Sequence, residues 1–231
     1  MAINLRGVTA VLLPGTGSDE DYLRRAFAGP LAEAGITLTA VSPEADGLVA
    51  GYLRALDAAT GPIVVGGVSI GAAAATRWAL AHPGRAMAVL AVLPPWTGAP
   101  DGAPAALSAR HTADQLRRDG LAATSAAMRS SSPAWLADEL SRSWRRQWPS
   151  LPDAMDEAAA YPGPSAAELG RLTTPMAVVA AADDVIHPPE IALEWASSVP
   201  RAALRTVTLK QFGPDPSALG AASLAALRAI D

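Results

Sequence analysis

Gly67-Val68-Ser69-Ile70-Gly71 follows an apolar stretch, Pro62 to Gly66, and leads into an alanine-rich one, Gly71 to Ala81. A serine flanked by glycines on a sharp strand-to-helix turn is the sequence form of a nucleophile elbow. The glycines matter because side chains at 67 and 71 would collide with the neighbouring strand and helix. The start of a helix also brings partial positive charge close to Ser69. The chemistry implied is attack by a serine hydroxyl on an acyl carbon. A hydroxyl is a poor nucleophile until a base takes its proton, so the base must be found elsewhere in the chain. The histidines are His82, His111 and His187, and none lies in the last forty residues.

The elements that would hold Ser69 are legible. Val8 to Leu13 is a short apolar run ended by Pro14-Gly15, which reads as a buried strand. Asp19 to Ala34 carries Tyr22, Leu23, Ala26, Phe27 and Leu31 at helical spacing, with Gly35 as its stop. Ile36 to Val41 reads as a strand, Gly47 to Ala59 as a helix, Pro62 to Gly66 as a strand and Gly71 to Ala81 as a helix. Ala86 to Leu93 is a further strand, closed by Pro94-Pro95. This alternation predicts an α/β fold with a mostly parallel central sheet flanked by helices.

The alternation stops at Thr97 and returns at Met176 to Ala181. Between them Ser108 to Met128 reads as helical. A second helix follows Ser132-Pro133, with proline at the first helical position. Leu140, Trp144 and Trp148 are spaced by four and are expected to share its face. Residues 1–96 and 173–231 are therefore expected to form the core, and 97–172 an inserted helical cap, with Pro162-Gly163-Pro164 as a hinge. Ile191 to Val199 reads as a helix, Leu204 to Leu209 as the last strand and Ala218 to Ile230 as the last helix.

Composition narrows the classes. With 231 residues, half of them hydrophobic, the chain can bury a sizeable core. A net charge of −4 excludes the electrostatic footprint of a nucleic-acid binder. Arg142, Arg145 and Arg146 read as a solvated helix face. The absence of cysteine excludes disulfides, thiolate catalysis and thiolate zinc sites. Met1 to Gly7 has no long apolar signal-peptide run, and no run of eighteen apolar residues is present. The expectation is a cytoplasmic protein with neither membrane nor nucleic-acid partner.

With its strand-elbow-helix unit and late aspartates, the chain resembles the α/β-hydrolase fold family over nearly its whole length. The resemblance implies a sheet lacking the family's first antiparallel strands, because the strand at Val8 lies so near Met1. It implies an acid after the strand Met176–Ala181, as an aspartate followed four residues later by proline. Asp184 with Pro188 matches, and Asp183 is the second choice. It implies an oxyanion hole from the backbone N–H of Thr16, in Leu13-Pro14-Gly15-Thr16-Gly17, and that of Ile70, next to the nucleophile.

The family's base normally stands in a loop after the last strand. Here that loop reads Lys210-Gln211-Phe212-Gly213-Pro214-Asp215-Pro216, with Pro214 about where histidine is expected. The triad implied is therefore atypical. His187, three residues past Asp184, and His111, in the insertion, remain as candidate bases; His82 stands before Pro83 at the far end of the elbow helix and is structural. Asp19 and Asp215 are lesser candidates to face the pocket. Trp96, His111 and Trp144 are expected to line it, with Trp135 and Trp148 nearby, which suits a small-molecule substrate with an apolar or aromatic part.

Three functions stay open at this point: hydrolysis of a small ester or thioester by Ser69, Asp184 and His187 or His111; a non-hydrolytic lyase or cyclase reaction on the same scaffold; and ligand binding without turnover. No cofactor or metal is implied, and the residues do not fix the oligomeric state, a dimer being compatible with them.

Overall fold

A computed structural model describes residues 4–230; Met1, Ala2 and Ile3 of the N-terminal stretch, and Asp231, lie outside the described residues. The strands are β1 (Thr9–Leu13), β2 (Thr37–Ala40), β3 (Ile63–Val68), β4 (Ala86–Val92), β5 (Met176–Ala181) and β6 (Ala202–Val207). They form one six-stranded sheet in the order β2-β1-β3-β4-β5-β6, and every pairing is parallel.

Side-chain polarity explains that order. β1, β3, β4 and β5 are nearly unbroken apolar runs and are buried almost throughout, as strands covered on both faces must be. β2 places Thr37 and Thr39 in solvent, and β6 exposes Arg205 and Thr206; these two stand at the edges.

Helices cover both faces. On one side α1 (Glu20–Glu33) and α10 (Ser217–Leu227) bury Leu23, Phe27, Leu31, Leu219 and Leu227 against the sheet. On the other, α2 (Leu48–Ala58), α3 (Ile70–Ala81) and α8 (Pro189–Ser198) bury Tyr52, the alanines of α3, Trp78 and Trp195. Each fully buried large apolar side chain stabilises the fold by roughly 1.5–3 kcal/mol before entropy is counted.

Between β4 and β5 run α4 (Pro104–Ser131), α5 (Ala134–Gln147), α6 (Leu151–Ala160) and the short α7 (Ala166–Leu169). α4 is longer than the Ser108–Met128 expected, and it breaks at Gly120, whose φ of 78° is left-handed and suits glycine. Ala113, Leu116, Trp144, Leu151 and Met155 form a small core among α4, α5 and α6. Several polar links tie the insertion to the rest, and two of them cap or clamp helices of the core. Glu157 of α6 accepts the backbone N–H groups of Leu48 (2.7 Å) and Val49 (3.0 Å), capping α2, whose own N-cap, Gly47, has no side chain to do so.

The second anchor corrects the expected solvated face for Arg142 and Arg146, while Arg145 is exposed as expected. Arg142 pairs with Asp19 (2.7 Å) and Glu139 (2.7 Å), and Arg146 with Glu20 (2.6 Å), so α5 is clamped by charge to the start of α1. Asp19, only 2% exposed, is held ionised. Burial pushes its carboxyl up, but the Arg142 hydrogen bond and charge, the Tyr22 N–H and Arg146 together bring it below the ordinary value. Trp148 does not share the inner face of Leu140 and Trp144; it terminates α5 and is 39% exposed. The last strand is β6 at Ala202–Val207, and a short helix α9 (Leu209–Phe212), absent from the sequence reading, follows it through a Thr208–Gln211 capping box.

Candidate active site

The chain leaves β1 toward the β2 edge and returns to pair β3 on β1's other side. At such a switch point the connections after neighbouring strands diverge and open a crevice at their carboxyl ends. The segment after β1, Pro14 to Ser18, and the turn after β3, Ser69, meet there: a Cβ added to Gly15 would stand 3.5 Å from the Ser69 Cβ.

Ser69 joins β3 to α3 with φ 53° and ψ −119°. This positive φ is rare for a residue other than glycine and stores strain. The flanking glycines are required by space. A Cβ on Gly67 or Gly71 would overlap the carbonyl oxygen of Leu13 at the end of β1, and that backbone atom cannot move aside. The Ser69 N–H donates to Val92 O (2.9 Å), which fixes the turn against β4.

Register carries the other side chains to the same edge of the sheet. β5 lies beside β4, and β4 beside β3. The chain leaving β5 therefore enters the crevice with Asp183, Asp184 and His187. Asp184 closes a tight turn: its Oδ1 accepts the N–H groups of Ile186 (2.8 Å) and His187 (3.2 Å). Its Oδ2 accepts from His187 Nδ1 at 2.8 Å, and His187 Nε2 stands 2.9 Å from Ser69 Oγ.

Burial pushes the Asp184 carboxyl up, yet the His187 hydrogen bond and charge and the two backbone N–H groups outweigh it, so the group sits below the ordinary carboxylate value. An ionised carboxylate has no proton to give, so Nδ1 is the donor in that bond. In the neutral ring Nε2 is then left as the acceptor for the Ser69 hydroxyl.

The remaining sequence candidates fall as follows. Asp183 does not meet a histidine; its Oδ1 accepts the Leu209 N–H at 2.7 Å, tying the loop to α9. Thr16 lines the same cavity as Ser69 and Ile70 follows Ser69 in the turn, and among the described residues no hydrogen bond occupies the N–H of either. His111 is exposed at the cavity wall, with no bond to Ser69. Trp96 and Trp144 are buried and line the cavity. His82 stacks on Trp78, remote from the crevice. Asp19 is taken up by arginines, while Asp215 is exposed and accepts from Ser217. Pro214 is exposed and outside the cavity wall; its neighbour Phe212 lines the cavity instead, edge-on to Trp135 at 5.6 Å. Sequence reasoning missed Phe212 and Leu93. The Pro94-Pro95 stop was the one signal that the backbone turns sharply at Leu93, where φ is 49°.

The cavity over Ser69 measures about 680 Å³, within the range of small-molecule sites. The core supplies its floor and α4 and α5 much of its roof; Trp96, Trp135, Leu136, Leu140, Trp144 and Phe212 make it largely apolar. Among the described residues, no group of three carboxylate or histidine side chains is placed to hold a metal ion, and no helix is long and apolar enough to cross a membrane.

A family model described as the alpha/beta hydrolase family matches residues 4–211. The chain belongs to this family. No curated protein matches its sequence. Among solved structures it is similar to Rv0554 from Mycobacterium tuberculosis, with a TM-score of 0.71 and 20% identity over 97% of this chain and 91% of that one. It is similar to a thermophilic esterase from Thermogutta terrifontis, with a TM-score of 0.65 and 20% identity over 88% and 82%. It is also similar to MenH from S. aureus, with a TM-score of 0.68 and 14% identity over 97% and 95%. At these identities the likeness shows the fold. Ser69, Asp184 and His187 follow one another along the chain, with Asp184 and His187 three residues apart.

Proposed function

We propose that this family member hydrolyses small esters or thioesters by a Ser69–His187–Asp184 triad. One observation carries the reading: the His187 imidazole is hydrogen-bonded to Ser69 Oγ on one nitrogen and to Asp184 on the other. Both distances fall within the 2.6–3.2 Å or so that proton transfer needs.

Ser69 Oγ attacks the acyl carbon while His187 Nε2 takes its proton. The negative oxygen of the tetrahedral intermediate is received by the N–H groups of Thr16 and Ile70, which are otherwise unoccupied. The C–O or C–S bond then breaks, and the leaving alcohol or thiol takes the proton from Nε2. Water, deprotonated by the same nitrogen, attacks the acyl-enzyme and releases the acid and Ser69. Asp184 holds the ring in the tautomer that leaves Nε2 free and balances the imidazolium that forms.

The inserted helices, residues 97–172, act as a cap that shapes the apolar cavity and so favours substrates with an apolar or aromatic part. The lyase or cyclase reading drew its motive from Pro214 at the expected histidine position. The 2.9 Å contact of His187 with Ser69 favours the triad reading over it.

The test is labelling with a fluorophosphonate and turnover of p-nitrophenyl butyrate. Ser69 is expected to be labelled at a rate that falls sharply in His187→Ala. Absence of both labelling and turnover in the folded wild-type protein would rule the mechanism out.

A further inference from the structure

Large apolar side chains are exposed at few of the described residues: Leu107, Trp148, Val185, Ile186 and Leu193. Single exposed apolar side chains need no explanation. Val185 and Ile186 differ from the rest, because they are adjacent in the chain and both line the cavity over Ser69. Val185 is 81% exposed, the most of any of these, and Ile186 is 37% exposed.

The fold fixes this pair beside the reacting atoms. Asp184 Oδ1 accepts the N–H groups of Ile186 and His187, so residues 184–187 form a closed turn with Val185 at its tip. His187 follows Ile186 directly, and its Nε2 stands 2.9 Å from Ser69 Oγ. In the proposed reaction the leaving oxygen or sulfur takes its proton from Nε2, so it must come within about 3 Å of that atom. The acyl oxygen is received elsewhere, by the N–H groups of Thr16 and Ile70. The first carbons of the leaving group are thereby brought to the His187 side, where Val185 and Ile186 line the wall.

Charge points to the same kind of ligand. Among the described residues that line the cavity none is arginine or lysine, whereas Glu139, Asp183 and Asp184 carry carboxylates. Glu139 is taken up by Arg25 and Arg142, and Asp184 by His187. Asp183, two residues before Val185, is exposed and accepts the Leu209 N–H. Lys210, the neighbour of Leu209, does not line the cavity. An anionic leaving group would therefore meet no lysine or arginine at this wall, and would lose water against aliphatic side chains.

We propose that Val185 and Ile186 select the leaving group, and that the substrate is an ester or thioester of an uncharged, apolar alcohol or thiol. Leaving groups that bear a carboxylate or phosphate beside the scissile bond are rejected, because uncompensated charge on an apolar wall discriminates by its cost. This rests on the esterase reading above and states which end of the substrate carries an apolar part.

The test compares esters that share one acyl group, so that all pass through the same acyl-enzyme and differ only in the first step. kcat/KM is measured for ethyl, butyl and 3-carboxypropyl butyrate. Butyl butyrate is expected to exceed ethyl butyrate by about fivefold, less than full burial of the added methylenes would give, because the rim is open to solvent. The 3-carboxypropyl ester should do no better than ethyl butyrate. In the double variant Val185→Ser/Ile186→Ser the butyl preference should fall to within about twofold, and in Val185→Ser alone to a value between. The preference for butyryl over acetyl, read from ethyl butyrate and ethyl acetate, should stay as in the wild type. A mere disturbance of His187 would instead slow every ester alike and leave the butyl preference whole. Equal rates for ethyl and butyl butyrate, a butyl preference that survives the double substitution, or a 3-carboxypropyl ester as good as the butyl one overturns the proposal. The same order is expected for binding of the three esters to full-length Ser69→Ala, followed by ligand-observed NMR, which needs no turnover. Fluorophosphonate labelling of the wild type decides the esterase reading separately.

Discussion

His187 and Asp184 lie three residues apart in one loop, yet the imidazole Nδ1 and the carboxylate Oδ2 face each other at 2.8 Å. The turn that Asp184 itself closes, through the N–H groups of Ile186 and His187, makes this possible. One side chain thus orients the imidazole twice, through the backbone and through the ring. Replacing Ser69 or His187 by alanine should lower kcat for ester hydrolysis by about 10⁴-fold or more, with the double variant little worse than either single one. Asp184→Asn should also cost several thousandfold, because an amide can donate to Nδ1 and so turn the tautomer. Additive losses in a steady-state comparison would show that the three do not act as one unit.

Asp183 should matter by position alone. Its Oδ1 accepts the Leu209 N–H at 2.7 Å and so pins the loop that carries Asp184 and His187. Asp183→Ala is expected to lower kcat by roughly tenfold, the worth of one such hydrogen bond, with KM little changed. Asp183→Asn, which keeps an acceptor oxygen, should restore most of it. Equal losses in the two variants would point to charge rather than anchoring.

Ser69 stores backbone strain at φ 53°. Glycine tolerates that conformation and alanine does not. Ser69→Gly should therefore be more stable than Ser69→Ala by about 1–2 kcal/mol, read from denaturant midpoints. An alanine variant as stable as the glycine one would show that the turn relaxes.

Arg142 clamps α5 to Asp19, which is 2% exposed. Removing one partner of a fully buried pair costs roughly 3–5 kcal/mol. Arg142 is itself 36% exposed and Arg146 also reaches Asp19, so Arg142→Ala should cost only about 1–2 kcal/mol in urea unfolding. If stability is unchanged, solvent and Arg146 carry the Asp19 charge unaided.

Asp184 and Asp19 both have carboxyls held below the ordinary value. A depressed carboxyl stabilises the fold fully above its unfolded pKa, about 3.9, and that stability is lost as pH falls through the lower folded value. The stability difference between wild type and Asp184→Asn should therefore be constant from about pH 5 upward and drift in the asparagine variant's favour below about pH 4. Equilibrium unfolding at pH 3, 4 and 7 measures it, and a pH-independent difference would contradict the depressed carboxyl.

The sequence by itself determined the elements and the elbow. Unbroken apolar runs made β1, β3, β4 and β5 central strands, because only a strand buried on both faces tolerates such composition. Gly67 and Gly71 marked the elbow because no Cβ fits against the Leu13 carbonyl. These are local properties, written in residue type and spacing. The partner of Ser69 was not local. His187 is 118 residues from Ser69 along the chain, and the sequence put it forward as the base with His111 as the alternative. Parallel pairing of β3, β4 and β5 brought His187 to the serine and left His111 exposed at the cavity wall. The same holds for Arg142 on Asp19. Each depends on which segments the sheet and the inserted helices place side by side, and a hydrogen bond reaches only about 3 Å.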